Sequence, residues 1–268
     1  MRRWVWILTL LMVTTALVRG SFPLLRQAET APEPADTAAP PTPEASPFSL
    51  LCLFTDGGVS TGMHILQFEA SSVTVTAIPA NVRLAVGTVF TTADRLYSEG
   101  RLSVLRDVLQ KELEITIDNY VILSYDSYIE LTQTYVGGIT LTLAEDIPIP
   151  FIGDTLILFA GRQTLTPAQV VAYWRQSGDT CETAQRQAEV LSVFLEEWLS
   201  ATHRADWDAL FADLTNTAVT DWRIDRYSVQ RRTLWTLSQR EEPLSVPFSL
   251  PAGELVGEGR DRRFEFAD

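Results

Sequence analysis

Positive charge is scarce in this chain. Against 34 Asp and Glu stand 21 Lys and Arg, a formal charge of −13, with an isoelectric point near 4.6. Nucleic-acid backbones are held by clustered Lys and Arg, so a DNA- or RNA-binding surface is excluded. Histidine is equally rare: His64 and His203 stand far apart, which leaves no zinc-ligand spacing and marks neither as a catalytic base. Cys52 and Cys181 could form one disulfide outside the cytoplasm, but Cys52 lies in a wholly apolar run, where a small buried thiol is the commoner state. No cysteine stands where a lipoprotein would need one, and repeats and collagen-like composition are absent.

No uninterrupted apolar run reaches the ~20 residues of a usual membrane span. The nearest is Trp4 to Val18, preceded by Arg2 and Arg3 and stopped by Arg19. A charged start followed by an apolar stretch marks an exported chain. No good small-x-small cleavage site follows directly, so a retained membrane anchor over residues 1–26 is expected, with cleavage and secretion as the alternative. Residues 27–47 are Ala, Pro, Thr and Glu with hardly a large apolar side chain, the composition of a linker that cannot bury enough surface to order itself. What remains, 48–268, suits one globular domain, since 46% of the chain is hydrophobic and 21% charged.

Within that domain, Phe48 to Phe54 is a continuous apolar run ended by Thr55-Asp56-Gly57-Gly58, which suits a strand buried on both faces. Met63 to Phe68 and Val73 to Ile78 read as a hairpin. Leu102, Leu105, Val108, Leu109 and Leu113 recur at helical spacing. Asn119 to Leu123 reads as a strand, Asp126 to Tyr135 as a short helix, and Ile139 to Leu143 as a strand after Gly137-Gly138. Thr166-Pro167 is a helix start, with a capping hydroxyl and a proline in the first turn, and the longest helix is expected over about Thr183 to Ser200. Leu244 to Asp268 looks like irregular strand at a sheet edge. Interleaved strands and helices predict an α/β fold in α-β-α layers: a mixed central sheet with helices on both faces.

Gly58-Val59-Ser60-Thr61-Gly62 fits the Gly-x-Ser-x-Gly pattern of a serine nucleophile elbow. Such an elbow leads into a helix, whereas the residues that follow are rich in Val, Thr and Ile and read as a hairpin, so the match is set aside.

A different pair of segments carries more. Asp56 and Thr61 flank the first turn, and Ile78-Pro79 closes the hairpin. A hundred residues on come Tyr173-Trp174-Arg175 and then Arg186-Gln187 at the head of the long helix. This order of motifs resembles the LytR-CpsA-Psr family of cell-envelope proteins over nearly all of 48–268. The resemblance implies transfer of a glycopolymer from a polyprenyl pyrophosphate carrier to peptidoglycan. It further implies arginines on the diphosphate, a carboxylate-bound Mg2+ with Asp56 as its ligand, and the lipid tail in an apolar tunnel. The implied phosphate site is Asp56, Thr61, Arg175, Arg186 and Gln187. The implied partners are the membrane, through the N-terminal segment, a polyprenyl phosphate or lipid-linked glycan, and peptidoglycan.

The match is partial. Gly58 or Val59 falls where the family has an arginine, Ser60 where it has an aspartate, and Ala80-Asn81 where it has Arg-Asp. Ser177 and Thr183 replace two further arginines. Each lost bidentate arginine removes two charge-assisted hydrogen bonds, worth roughly 1.5–3 kcal/mol apiece. Arg83, three residues after Ala80, is a candidate to swing into the gap. Asp179 and Glu182 are ordinary surface partners for Arg175 and Arg186, and the runs Val121 to Leu123 and Thr155 to Phe159 read as core rather than tunnel. Three functions follow: a lipid- or glycan-binding protein with lost or reduced transfer activity, which is the expectation; an active glycopolymer phosphotransferase; or a non-catalytic structural envelope protein.

Overall fold

The computed structural model describes residues 45–176, 178–258 and 262–267. The expected anchor, the linker as far as residue 44, and Ser177 lie outside the described residues.

The continuous apolar run forms strand β1 (Phe48–Asp56), buried on both faces. Alternation sends Leu50, Cys52 and Phe54 into one hydrophobic core and Leu51 and Leu53 into a second, on the other side of the sheet. β2 (Val59–Phe68) and β3 (Val73–Ile78) follow as an antiparallel meander. β6 (Asn119–Ser124) lies parallel to β1 in register Leu50↔Asn119. The two-residue strands β11 (Val219–Thr220) and β12 (Phe248–Ser249) close the edges, giving the order β11-β6-β1-β2-β3-β12. This is a mixed sheet, as expected from the interleaved pattern.

β2 begins at Val59, four residues earlier than the apolar pattern suggests. Gly57 and Gly58, with φ of 56° and 83°, make the tight two-residue turn whose twist fits a hairpin, and the ladder starts at once. Ser60 and Thr61 therefore lie in a strand, and no nucleophile elbow forms.

One face of the sheet is covered by α3 (Tyr125–Tyr135), α4 (Pro167–Trp174), α5 (Thr180–Trp198), α6 (Trp207–Thr217) and α7 (Ile224–Ser238). The other face carries α1 (Ala93–Ser98) and α2 (Leu102–Glu112), packed through Leu96, Leu105 and Leu109. Each fully buried side chain of this kind contributes about 1.5–3 kcal/mol of transfer free energy. The α4 start is the expected one: Thr166 and Gln169 form a reciprocal capping box with Pro167 in the first turn. α5 starts three residues earlier than expected, because the Asp179 carboxylate accepts from the Glu182 backbone N–H at 2.9 Å.

Smaller antiparallel pairs decorate this frame: the hairpins β4 (Arg83–Val86) with β5 (Val89–Thr92) and β8 (Ile147–Phe151) with β9 (Asp154–Leu158), and β7 (Ile139–Leu143) with β10 (Gly161–Leu165), whose connection contains the β8–β9 hairpin. The tail divides. Phe248 pairs with Val75 at the sheet edge, as expected, whereas β13 (Gly253–Val256) and β14 (Arg263–Phe266) form a hairpin of their own. Cys52 and Cys181 are both free and buried, and burial pushes their thiols up to about 12 and about 11.

Candidate functional site

The site begins where β1 ends. Beyond the Gly57-Gly58 turn, Thr55 faces Ser60 but Phe54 faces Gly62, so Thr61 is an extra residue taken up by a bulge. Bulges re-aim side chains; here Thr61 Oγ1 donates to the Phe54 carbonyl at 3.2 Å. Ser124 caps α3 and sets Tyr125 at its first position. The Tyr125 hydroxyl donates to Thr61 Oγ1 at 2.9 Å. From α5, Gln187 Nε2 donates to the Tyr125 hydroxyl and to Thr61 Oγ1, both at 3.0 Å. Three side chains from three elements thus close a small hydrogen-bonded knot.

Gln187 is fully buried, and its fit depends on Gly62: a Cβ there would stand 2.0 Å from Gln187 Oε1. Burial raises the Tyr125 phenol above its ordinary value, against its hydrogen bonds with Thr61 and Gln187. It is a neutral donor at any physiological pH.

Arg175 ends α4 and reaches back to β1. Its Nε and Nη2 donate to the two carboxylate oxygens of Asp56 at 2.7 and 2.8 Å. The hydrogen bond from Arg175 holds the Asp56 carboxyl below its ordinary value. The guanidinium carbon lies 5.3 Å from the centre of the Tyr125 ring, which joins the ion pair to the buried knot. Both partners stay open to solvent, at 49% and 39% side-chain exposure, so a ligand can compete for either.

Arg186, one residue before Gln187, is folded under the loop that precedes α5. It donates to the Gln176 carbonyl at 3.0 Å and to Thr183 Oγ1 at 3.3 Å, and its Nη1 is 3.8 Å from Glu182. Its Nε is buried without a partner among the described residues. Its guanidinium carbon lies 5.9 Å from the Tyr173 ring centre, and the Tyr173 hydroxyl donates to Glu189 at 3.1 Å. Burial raises the Glu189 carboxyl above its ordinary value.

The structure therefore brings together Asp56, Thr61, Arg175 and Gln187, with Arg186 beside them on α5. Arg83 is engaged otherwise: it pairs with Glu265 at 2.9 Å and stacks 3.6 Å above the Phe90 ring. Asn81 accepts from Thr180 Oγ1 at 2.6 Å and donates to the Arg262 carbonyl at 2.8 Å, stitching the end of β3 to the start of α5. Arg175 takes Asp56 rather than Asp179 or Glu182 as its partner. Tyr125 is the member that the sequence does not announce, because nothing local distinguishes it from the other aromatic residues that follow strands.

The protein side chains alone do not complete a magnesium site: Asp56 is the one carboxylate in the cluster, and substrate phosphates and waters would have to supply the other ligands. Mg2+ requires oxygen ligands in a near-octahedral set, yet both Asp56 oxygens are bound by Arg175. Among the described residues no group of three or more His, Cys, Asp and Glu side chains converges. What the cluster offers a ligand is a guanidinium fork, a carboxylate, an amide and two hydroxyls.

Behind the polar knot lies an apolar cavity of about 150 Å³, between β1, β2 and β6 on one side and α3, α5 and α6 on the other. Val121 and Leu123 line it, whereas Ile122 between them packs into the opposite core. That run is thus both core and cavity wall. In the second run, Leu158 is buried while Ile157 and Phe159 face solvent. The cavity and the polar site share their elements. Phe54, two residues before Asp56, lines the cavity, and so does Tyr128, three residues after Tyr125. Trp174 stands between the two regions, with ring centres 4.7 Å from Phe54, 5.4 Å from Tyr125 and 4.5 Å from Tyr128.

Residues 74–244 match the LytR-CpsA-Psr family model. The chain belongs to the LytR-CpsA-Psr family. Solved structures share its fold at low sequence identity. TagV of B. subtilis is 19% identical over 84% of this chain and 92% of its own, with a TM-score of 0.67. A protein from Eubacterium siraeum, described as a transcription regulator, is 17% identical over 92% and 94%, with a TM-score of 0.72. TagT bound to LI-WTA is 17% identical over 82% and 85%, with a TM-score of 0.65. Among curated proteins no sequence matches this chain. The α-β-α layering expected from the residue pattern is the family's architecture.

Proposed function

We propose that this LytR-CpsA-Psr protein works in the cell envelope by holding a polyprenyl-phosphate-linked glycan or a related lipid, with transfer activity lost or reduced. In this reading the N-terminal segment attaches the chain to the membrane and the domain lies outside the cytoplasm. The observation that carries the proposal is the adjacency of a hydrocarbon-lined cavity to the Asp56–Arg175 pair, shared along β1 and α3. A lipid phosphate has the same two-part chemistry, an apolar tail and an anionic head. Family membership and the ligand of TagT, LI-WTA, support a lipid-linked glycan as the occupant.

Tail and head are served by different physics. The cavity removes isoprenoid surface from water at about 25 cal/mol per Å². The guanidinium of Arg175 presents a planar fork that matches phosphate oxygens as well as it matches Asp56. Head-group binding therefore exchanges one anion for another, and Asp56 competes with the ligand. Reduced transfer follows from charge. Phosphoryl transfer is catalysed chiefly by positioning and by neutralising developing negative charge. Of the arginine positions that the resemblance implies, Ala80 and Thr183 carry none.

Two assays on the full chain separate the readings. Mass spectrometry of lipids that copurify from bacterial membranes should recover polyprenyl phosphate or pyrophosphate. Incubation with a lipid-linked glycan, peptidoglycan and Mg2+ should give little or no transferred polymer. Robust transfer would identify an active phosphotransferase, and repeatable absence of lipid would leave a structural envelope protein.

A further inference from the structure

The β8–β9 hairpin turns through Ile152 and Gly153, with φ of 52° and 79°, and its last pair is Phe151↔Asp154. A two-residue turn of this hand favours Asn, Asp or Gly at its first position, and a β-branched residue is strained there. Ile152 is also 87% exposed, more than any other exposed large hydrophobic side chain among the described residues. The position thus combines an unfavourable backbone with an unfavourable surface, and neither turn chemistry nor core packing accounts for it.

The apolar surface continues below the tip. Ile149 and Leu158 turn inward and are buried, whereas Pro148, Pro150, Ile157 and Phe159 face out, Ile157 and Phe159 being 41% and 66% exposed. Asp154 is the only charged residue between Ile147 and Phe159. Pro148 and Pro150 remove two backbone donors from β8, which blunts that edge against pairing with another strand. A hairpin tip is also much smaller than the ~800 Å² per partner of a stable protein interface.

A lipid surface meets neither objection, since apolar side chains entering the headgroup region need no strand pairing and no large flat contact. The net charge of −13 repels anionic headgroups, so attraction to a bilayer has to come from apolar side chains. We propose that the outward face of the β8–β9 hairpin dips into the bilayer, with Ile152, Ile157 and Phe159 as the inserted residues. The inference rests on the membrane attachment proposed above. Residues 27–47, even fully extended, reach about 75 Å at most, which keeps the domain near the surface that holds the proposed lipid.

The test uses the full chain in vesicles of equimolar phosphatidylcholine and phosphatidylglycerol. Both native thiols are buried, so Ile152→Cys and Ile157→Cys each offer one accessible site for an environment-sensitive fluorophore. Val229→Cys, on α7 and 63% exposed in the parent, is the control. Expected are a blue shift and a severalfold rise in emission at 152 and 157, quenched by nitroxide-labelled lipids, with no change at 229. If the chain floats with the vesicles but 152 and 157 stay solvent-like, the hairpin proposal is overturned while membrane attachment stands. If the chain does not float, attachment fails and the proposal falls with it. Protection that grows with protein density and is not quenched from the lipid phase would assign the face to a second copy, and would equally overturn it.

Discussion

Asp56 and Arg175 are joined by two parallel hydrogen bonds of 2.7 and 2.8 Å, although 119 positions separate them in the chain. The pair ties the end of β1 to the end of α4 and keeps a guanidinium at the mouth of the site. Its structural role as a clamp and the proposed role of Arg175 as a ligand fork can be separated experimentally.

Replacing Asp56 by Asn removes the competitor for Arg175. Affinity for a short-chain polyprenyl phosphate, read by fluorescence titration, should rise for Asp56→Asn and fall for Arg175→Ala. A fall in both variants would mean that Asp56 positions the fork rather than competing for it.

The same carboxylate carries a pH signature. Its folded-state pKa lies below the ordinary 3.8, so its contribution is complete above that value and is lost as pH falls through the folded pKa. Because both partners are well exposed, the effect is small, within the ~0–1 kcal/mol of exposed pairs. Urea unfolding should show wild type and Asp56→Asn differing by a constant amount from neutral pH to mildly acid pH, and converging in strong acid.

His64 has the larger effect. It is fully buried, its Nε2 is 3.1 Å from the Ala184 carbonyl, and burial lowers its pKa from 6.5 to about 4. The unfolded chain binds the proton more readily between those values, so stability is lost as pH falls from 6.5 toward 4. The loss is on the order of 3 kcal/mol. His64→Phe should flatten that part of the stability curve, and an unchanged slope would show that other groups produce it.

Gly62→Ala places a methyl group 2.0 Å from Gln187 Oε1. The buried amide has to leave its bonds with Tyr125 and Thr61, and a destabilisation of about 1–3 kcal/mol is expected. Pairing it with Gln187→Ala should recover part of that loss in chemical denaturation.

The apolar cavity is near the size that accepts a benzene-like guest, so the polyprenyl tail of the proposed ligand would have to displace its walls. Leu131→Phe, which fills the cavity from α3, should leave the fold intact and reduce copurified lipid several-fold by mass spectrometry.

Much of this architecture is legible in the residue order. Runs such as Phe48 to Phe54 and the spacing of Leu102, Leu105 and Leu109 identify their elements, because period and burial are local properties of the chain. Thr166-Pro167 locates a helix start to the residue for the same reason. The start of β2 is less legible, since Val59, Ser60 and Thr61 have no alternating pattern and are held by the Gly57-Gly58 turn. The helices α6 and α7 lie in a stretch whose pattern assigns no element. Nor does the sequence separate core from cavity at Val121 and Leu123, because a wall and a filled core need the same side chains.

Residue order and composition are enough for the class: an acidic chain, a layered α/β domain, and an Asp, Thr, Arg and Gln set in the order of its family. How those groups are used is settled by packing. Arg175 meets Asp56, Arg83 meets Glu265 182 positions away, and Tyr125 joins Thr61 to Gln187. Pattern reports which face of an element is buried, whereas the partner of a polar group is fixed by where distant elements meet, and spacing along the chain carries no record of that meeting.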